Sequence, residues 1–334
     1  MRIHKNNLSR AGHGTAVVAL ALALAACGSG SSSGDTADGK AGTVRVAMVC
    51  GGMTPMAAQI AINANTFPDG LEVKKVCFDS GSDAMQALIG GSLDIFMGST
   101  EHVLSTRAQG LDTRGFAGVN VRAPYALLTS ADSNIESVAD IEGETVGVTS
   151  PGSLADTELK IAASEEDIDY ASLKVIGAGS GATMASAIKQ GQVAAGMVSE
   201  PQRSELLSSG DYRQVWEPEF EYAAIIAVAK DDWVSKNEKS MRAFLEGLNE
   251  AATKAEGDPS WGVEAMKKEK FPVSDEVLAD AVQRGLTTIP DGLAVSESVY
   301  ESTTQNLVAV GALDEADVLP FDEVFDLAYI PKAP

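Results

Sequence analysis

An α/β chain in two lobes, each a mainly parallel sheet flanked by helices, with a helical C-terminal tail, is what three features of the sequence predict. Its 334 residues are about twice the ~150 usual for one domain. Strand-like apolar runs alternate with helical ones from Val44 to Val198, and most helices open on a cluster of Ser, Thr or Gly. Two similar stretches, Pro124-Tyr125-Ala126-Leu127-Leu128 and Glu221-Tyr222-Ala223-Ala224-Ile225-Ile226, bracket the second half of that alternation, as strands crossing between two lobes would.

Each element follows from local signals. Val44 to Val49 reads as a strand; Thr54 then offers an N-cap with Pro55 at the first helical position, and apolar residues continue to Ala64 before the turn Phe67-Pro68-Asp69-Gly70. A strand from Leu71 to Val76 leads into Ser80-Gly81-Ser82-Asp83, a helix start, and that helix ends at Gly90-Gly91. Asp94 to Met97 is a strand, Gly98-Ser99-Thr100 opens a helix to Ala108, and a strand runs around Phe116 to Val119. The second unit repeats the order: strand Thr145 to Val148, helix from Ser150-Pro151-Gly152-Ser153 through Ala163, strand Leu173 to Ile176, helix Thr183 to Lys189, strand Val193 to Val198. After Trp216 the pattern is mostly helical, over Glu238 to Ala255, Asp275 to Gly285 and Ser296 to Val310.

Ahead of this body lies a targeting segment. Arg2, Lys5 and Arg10 precede the unbroken apolar run Ala16 to Ala26, whose 11 residues are too short to span a bilayer that needs about 20. Its end, Leu24-Ala25-Ala26-Cys27, resembles the lipobox of bacterial lipoproteins, which implies a signal peptide over 1–26 and acylation of Cys27. Removing three positive charges and no negative ones takes the formal charge from −22 to −25. Two or three acyl chains suffice for stable anchoring. Residues 27–42 are small or polar and read as a flexible tether.

The composition excludes several function classes. With 47 acidic residues against 25 basic ones, the surface repels nucleic acid. His4 and His13 lie in the leader, so only His102 remains in the body, which excludes a multi-histidine metal site and confines any Ser/His/Asp triad to His102. Cys50 and Cys77 each close a strand of similar length. Paired in register, their Cα atoms would lie about 5 Å apart, within disulfide reach, with two buried thiols as the alternative.

Five loops leave carboxyl ends of strands beside helix N-termini: Gly51-Gly52-Met53-Thr54, Ser80-Gly81-Ser82, Gly98-Ser99-Thr100, Ser150-Pro151-Gly152-Ser153 and Gly179-Ser180-Gly181. Free N–H groups and the positive dipole end suit a small anion there, though caps and tight turns use the same residues. Arg122 is the best side-chain cation for such an anion, or a hinge ion pair; Asn120 and Tyr222 are further candidates, and His102 either donates into the cleft or lies solvated in a first helical turn. Gly177-Ala178-Gly179-Ser180-Gly181-Ala182, with Glu200 beyond it, also fits the G-x-G-x-x-A dinucleotide fingerprint, which would make the chain a nucleotide-dependent oxidoreductase; a single strand-helix-strand unit in an exported chain argues against it.

Five motifs in order, Ser80-Gly81-Ser82-Asp83-Ala84, Gly91-Ser92-Leu93-Asp94-Ile95, Gly98-Ser99-Thr100, Ile135 to Gly143 and Ala187 to Val193, resemble the substrate-binding proteins of ABC importers. The nearest likeness is to the group that binds alkanesulfonates, taurine, nitrate and the thiamine pyrimidine precursor (NMT1/THI5-like). The resemblance implies a type II periplasmic-binding-protein fold without catalytic activity or cofactor. Lobe 1 would be 43–124 plus 222–334, and lobe 2 would be 125–221. It also implies a monomer, lipid-anchored to the outer face of the cell membrane, that delivers a small organic anion to a permease driven by a cytosolic ATPase. Glu200, in Ser199-Glu200-Pro201, falls at a ligand-facing strand end that the family commonly precedes with an aromatic. Ser199 there opens the pocket and weakens the alternative ligand, a pyrimidine-type heterocycle that would need stacking.

Overall fold

The computed structural model describes residues 42–332. The stretch read as a signal peptide, with His4 and His13, and Cys27 with all of the expected tether except Gly42 lie outside the described residues. Among the described residues no helix is long and apolar enough to cross a membrane.

The first run of elements is β1 (Thr43–Val49), α1 (Met56–Ala64), β2 (Glu72–Phe78), α2 (Gly81–Ile89), β3 (Ile95–Gly98), α3 (Thr100–Ala108) and β4 (Thr113–Arg122). The second is β5 (Ala126–Ser130), β6 (Thr145–Val148), α4 (Leu154–Glu165), β7 (Lys174–Gly177), α5 (Ala182–Lys189), β8 (Ala195–Val198), α6 (Gln202–Ser209) and β9 (Tyr212–Trp216). Then β10 (Glu221–Lys230) leads into α7 (Asp231–Lys236), α8 (Glu238–Gly257), α9 (Pro259–Met266), α10 (Asp275–Leu286), α11 (Glu297–Ala309) and α12 (Phe321–Val324).

These make two five-stranded sheets, ordered β2-β1-β3-β10-β4 and β7-β6-β8-β5-β9. In each, the first three strands are parallel, and one strand reverses direction between neighbours that run the other way. The reversed strands are β10 and β5, the two similar stretches of sequence. The chain therefore passes from one sheet to the other between Arg122 and Ala126 and returns between Trp216 and Glu221.

Central strands are buried on both faces, as helix-covered sheets require: Val44, Val46, Ala47 and Met48 of β1 and Ala223 to Ala229 of β10 are core. Asp94, 1% exposed, takes Arg45 Nε at 2.9 Å and Nη2 at 2.8 Å in a fork that ties β1 to the start of β3. The tail closes the outer face of the first sheet. Phe244 of α8 stacks on Phe67 at 5.7 Å, and Thr303 of α11 accepts the Ala223 N–H at 2.8 Å.

Three local expectations need correction. Helix α1 begins at Met56 with Pro55 at the cap position, and Thr54 is a buried loop residue. Cys50 and Cys77 are bonded, with Cα atoms 5.4 Å apart, but the strands run two residues out of the expected register: Cys77 lies opposite Met48, and Cys50 N–H instead reaches Phe78 O. Finally α6 and β9 occupy a stretch in which the sequence showed no element; α6 is largely polar and β9 is a half-exposed edge strand, so neither has a clean apolar period.

Candidate functional site: the interlobe cleft

The lobes meet along a seam built from the predicted loops. Ser180 Oγ donates to Cys50 O at 2.8 Å, and Met53 N–H donates to Glu200 O at 2.7 Å. Gly181 must be glycine: its φ is +53°, and a Cβ would lie 2.2 Å from Gly51 O. A Cβ on Gly52 would come within 2.8 Å of Ser199 Oγ. The glycine-rich turn at 177–182 therefore packs on the β1–α1 loop across the seam, and its strand β7 is a sheet edge.

Two cavities lie along this seam. The larger, about 230 Å³, is lined from the first lobe by Met53, Thr54, Met56, Val119, Asn120 and Arg122, from the tail by Arg284 and Ile289, and from the second lobe by Ser199, Glu200, Arg203 and Glu217. The smaller, about 20 Å³, is walled by Gly81, Gly98, Ser99 and His102 against Tyr125, Thr149 and Ser153. Thr54 borders both.

Three arginines meet in the larger cavity. Arg203 pairs with Glu217 and also gives Nε to Gln214 Oε1 at 2.8 Å. Arg284 Nη2 reaches Glu200 Oε1 at 3.2 Å, so this pair bridges the helical tail and the second lobe. Arg122 is the least committed: its nearest carboxylate, Glu221, is 4.0 Å away and both side chains are half-exposed. Asn120 Oδ1 accepts the Arg122 N–H at 2.9 Å and fixes the local backbone. The remaining wall mixes aliphatic side chains such as Met53, Met56, Val119 and Ile289 with the polar Thr54, Asn120, Ser199 and Thr288, and it has no aromatic ring.

The helix-start residues divide between scaffold and cleft. Ser80 caps α2 through Asp83 N, Thr100 Oγ1 donates to Ala223 O at 2.8 Å, and Tyr222 is fully buried with its hydroxyl on Glu101 Oε2 at 3.1 Å. These three face neither cavity. Ser153 caps α4 through Asp156 N and accepts from Thr149 Oγ1 at 2.7 Å, yet lines the smaller cavity. Gly152, at φ +77°, donates to Asp156 Oδ2, and Pro151 is exposed. Gly98 packs on its own strand's Phe96 ring.

Burial dominates the electrostatics at the seam. It lifts the Glu101 carboxyl to about 7 and pushes Glu158, whose Oε2 accepts the Tyr125 N–H at 2.9 Å, well above the carboxylate range. Burial also raises the Tyr125 and Tyr222 phenols, with the two carboxyls adding to the effect, and drops His102 to about 4. Among the described residues no group of His, Cys, Asp and Glu is arranged to hold a metal ion.

Arg203, Arg284 and Glu217 escaped the sequence reading. Arg203 stands four residues after Ser199 and was within reach of the Ser199-Glu200-Pro201 step. Arg284, in the tail, carries no local signal, because only the packing of α10 against the second lobe brings it to the cleft.

A profile of the family described as NMT1/THI5 like matches residues 68–261, more than half of the chain. The chain belongs to the NMT1/THI5-like family. Solved structures agree with this NMT1/THI5-like fold. A Bordetella bronchiseptica protein is 25% identical, with a TM-score of 0.77 over 86% of this chain and 95% of its own. The alkanesulfonate-binding protein SsuA of Xanthomonas axonopodis, bound to MOPS, is 19% identical, with a TM-score of 0.69 over 85% and 98%. The periplasmic nitrate-binding protein NrtA of Synechocystis is 17% identical, with a TM-score of 0.58 over 84% and 90%. No curated protein matches the chain in sequence. SsuA and NrtA are named as binding proteins for alkanesulfonate and nitrate, and at under 25% identity they show that this chain shares their fold.

Proposed function

We propose that the chain captures a small organic acid, of sulfonate or carboxylate type, in the larger interlobe cavity and delivers it to an ABC permease powered by a cytosolic ATPase. The observation that carries this is the meeting of Arg122, Arg203 and Arg284 at one partly apolar cavity in a chain of net charge −22. Among the lining residues Glu200 and Glu217 offset two of the three charges, and Arg122, with half-exposed Glu221 outside the lining at 4.0 Å, is the freest to pair with a monoanion. Met53, Met56, Val119 and Ile289 suit the apolar body of such a ligand. A pyrimidine-type heterocycle finds no ring to stack on in this wall.

The lobes are taken as 43–124 plus 222–334 and 125–221, closing as rigid bodies about the two crossings. The protein acts as a monomer without cofactor or catalysis, held at the outer face of the membrane through acylated Cys27; Cys27→Ala should release it from membranes. A thermal-shift screen of alkanesulfonates, carboxylates, nitrate and pyrimidines tests the ligand class. An organic acid at 100 times its Kd should add about 2.7 kcal/mol. A response to pyrimidines alone would refute it.

A further inference from the structure

The smaller cavity closes over one unpaired polar atom. His102 is 8% exposed, and its Nε2 has no hydrogen-bond partner among the described residues. The ring is fixed around that atom: Nδ1 lies 2.5 Å from Ser99 Oγ, the Phe96 ring meets it edge-on at 5.7 Å, and Gly81 leaves the space beside it. A Cβ on Gly81 would lie 2.9 Å from Cε1 and 3.3 Å from Nε2. Both lobes wall the chamber, Ser99 and Gly81 from one and Thr149 and Ser153 from the other.

Proton placement follows from the neighbours. Burial keeps the imidazole neutral, so it carries a single proton. That proton sits either on Nδ1, against Ser99 Oγ, or on Nε2. The first turn of α2, starting at Gly81, sets its positive end against the Nε2 edge of the ring, which favours the lone pair on Nε2 and the proton on Nδ1, donated to Ser99 Oγ. About 20 Å³ admits one water-sized group and excludes a sulfonate or carboxylate.

We infer that His102 Nε2 is a specificity determinant that accepts a hydrogen bond from a single O–H or N–H donor on the ligand, whose acidic group lies with the arginines beyond Thr54. This rests on the organic-acid reading above. A ligand lacking the donor leaves Nε2 buried and unpaired, so the donor-bearing member of a matched pair should bind roughly tenfold more tightly.

The test titrates the full chain with ω-hydroxy- and ω-amino-alkanesulfonates of graded length beside their unsubstituted counterparts, in wild type and in His102→Phe. Expected is a preference of roughly tenfold for a donor-bearing member in wild type that vanishes in His102→Phe, while the unsubstituted member binds both alike. No preference in wild type, or one that survives His102→Phe, overturns the assignment and leaves the chamber to water. Nitrogen NMR of histidine-labelled full chain, with the His102 signals identified by their loss in His102→Phe, gives a readout that needs no ligand. A bare Nε2 supports the assignment, and a protonated Nε2 overturns it. If neither these sulfonates nor the corresponding carboxylates bind, the organic-acid reading fails, and the tautomer alone decides the role of His102.

Discussion

Replacing Glu101 with Gln should make the protein more stable, and increasingly so as the pH rises. The carboxyl sits in the first turn of α3, with Oε2 on the Tyr222 hydroxyl and Oε1 enclosed without a partner. Burial is the main cause of its rise from 4.5 to about 7, a shift of roughly 2.5 units, and at 1.36 kcal/mol per unit that is on the order of 3 kcal/mol. The folded chain holds this proton more tightly than the unfolded chain does. The associated stability is therefore whole below about pH 4.5 and is lost as pH rises through about 7. Glutamine keeps an acceptor for Tyr222 and has nothing to ionise. Urea unfolding of both proteins at half-unit steps from pH 4.5 to 8.5 gives the difference in unfolding free energy directly. That difference should climb by about 3 kcal/mol and level off above pH 7. A difference that stays flat across the range would refute the view that this carboxyl is held in a desolvated seam.

Two further perturbations probe closure and the clamp on β1. Gly181→Ala puts a Cβ where Gly51 O lies 2.2 Å away, so the lobes must part by about 1 Å at that point and a positive φ is strained by about 1–3 kcal/mol. Its scattering radius should grow and its ligand affinity fall with the closed fraction, and unchanged values of both would contradict the closed seam. Cys50→Ser opens a 27-residue link and should lower unfolding free energy by about 3.5 kcal/mol under oxidising conditions, with no difference from wild type in reductant. Equal stability in both conditions would show that the bridge does not form.

The layered architecture was legible because it rests on patterns with a short period. Strands such as Val44 to Val49 and Thr145 to Val148 are apolar runs bounded by Gly, Ser and Pro, and they lie within a residue of their observed bounds. The two similar stretches marked β5 and β10 for the same reason, since each is a run of buried, mainly apolar residues a few positions after a proline. Register was less legible: nothing in two apolar runs says which residue faces which, and Cys50 and Cys77 proved bonded from a diagonal rather than a facing position. The cleft loops were found as loops, but their use was not. Whether Thr100 points to solute or to Ala223 O, and whether Gly181 offers an N–H or merely lets Gly51 approach, depends on how the lobes dock. Arg284 shows the limit most plainly, for it reaches Glu200 across 84 residues of chain.

The claim that an acid is held by the arginine-lined cavity is tested most directly by calorimetric titration of the tightest-binding sulfonate or carboxylate from the screen into wild type and Arg122→Met. A charge-assisted hydrogen bond of about 1.5–3 kcal/mol predicts a loss of roughly 10- to 100-fold in affinity for the variant. Equal affinity in the two proteins would contradict the account and move the acidic group away from Arg122.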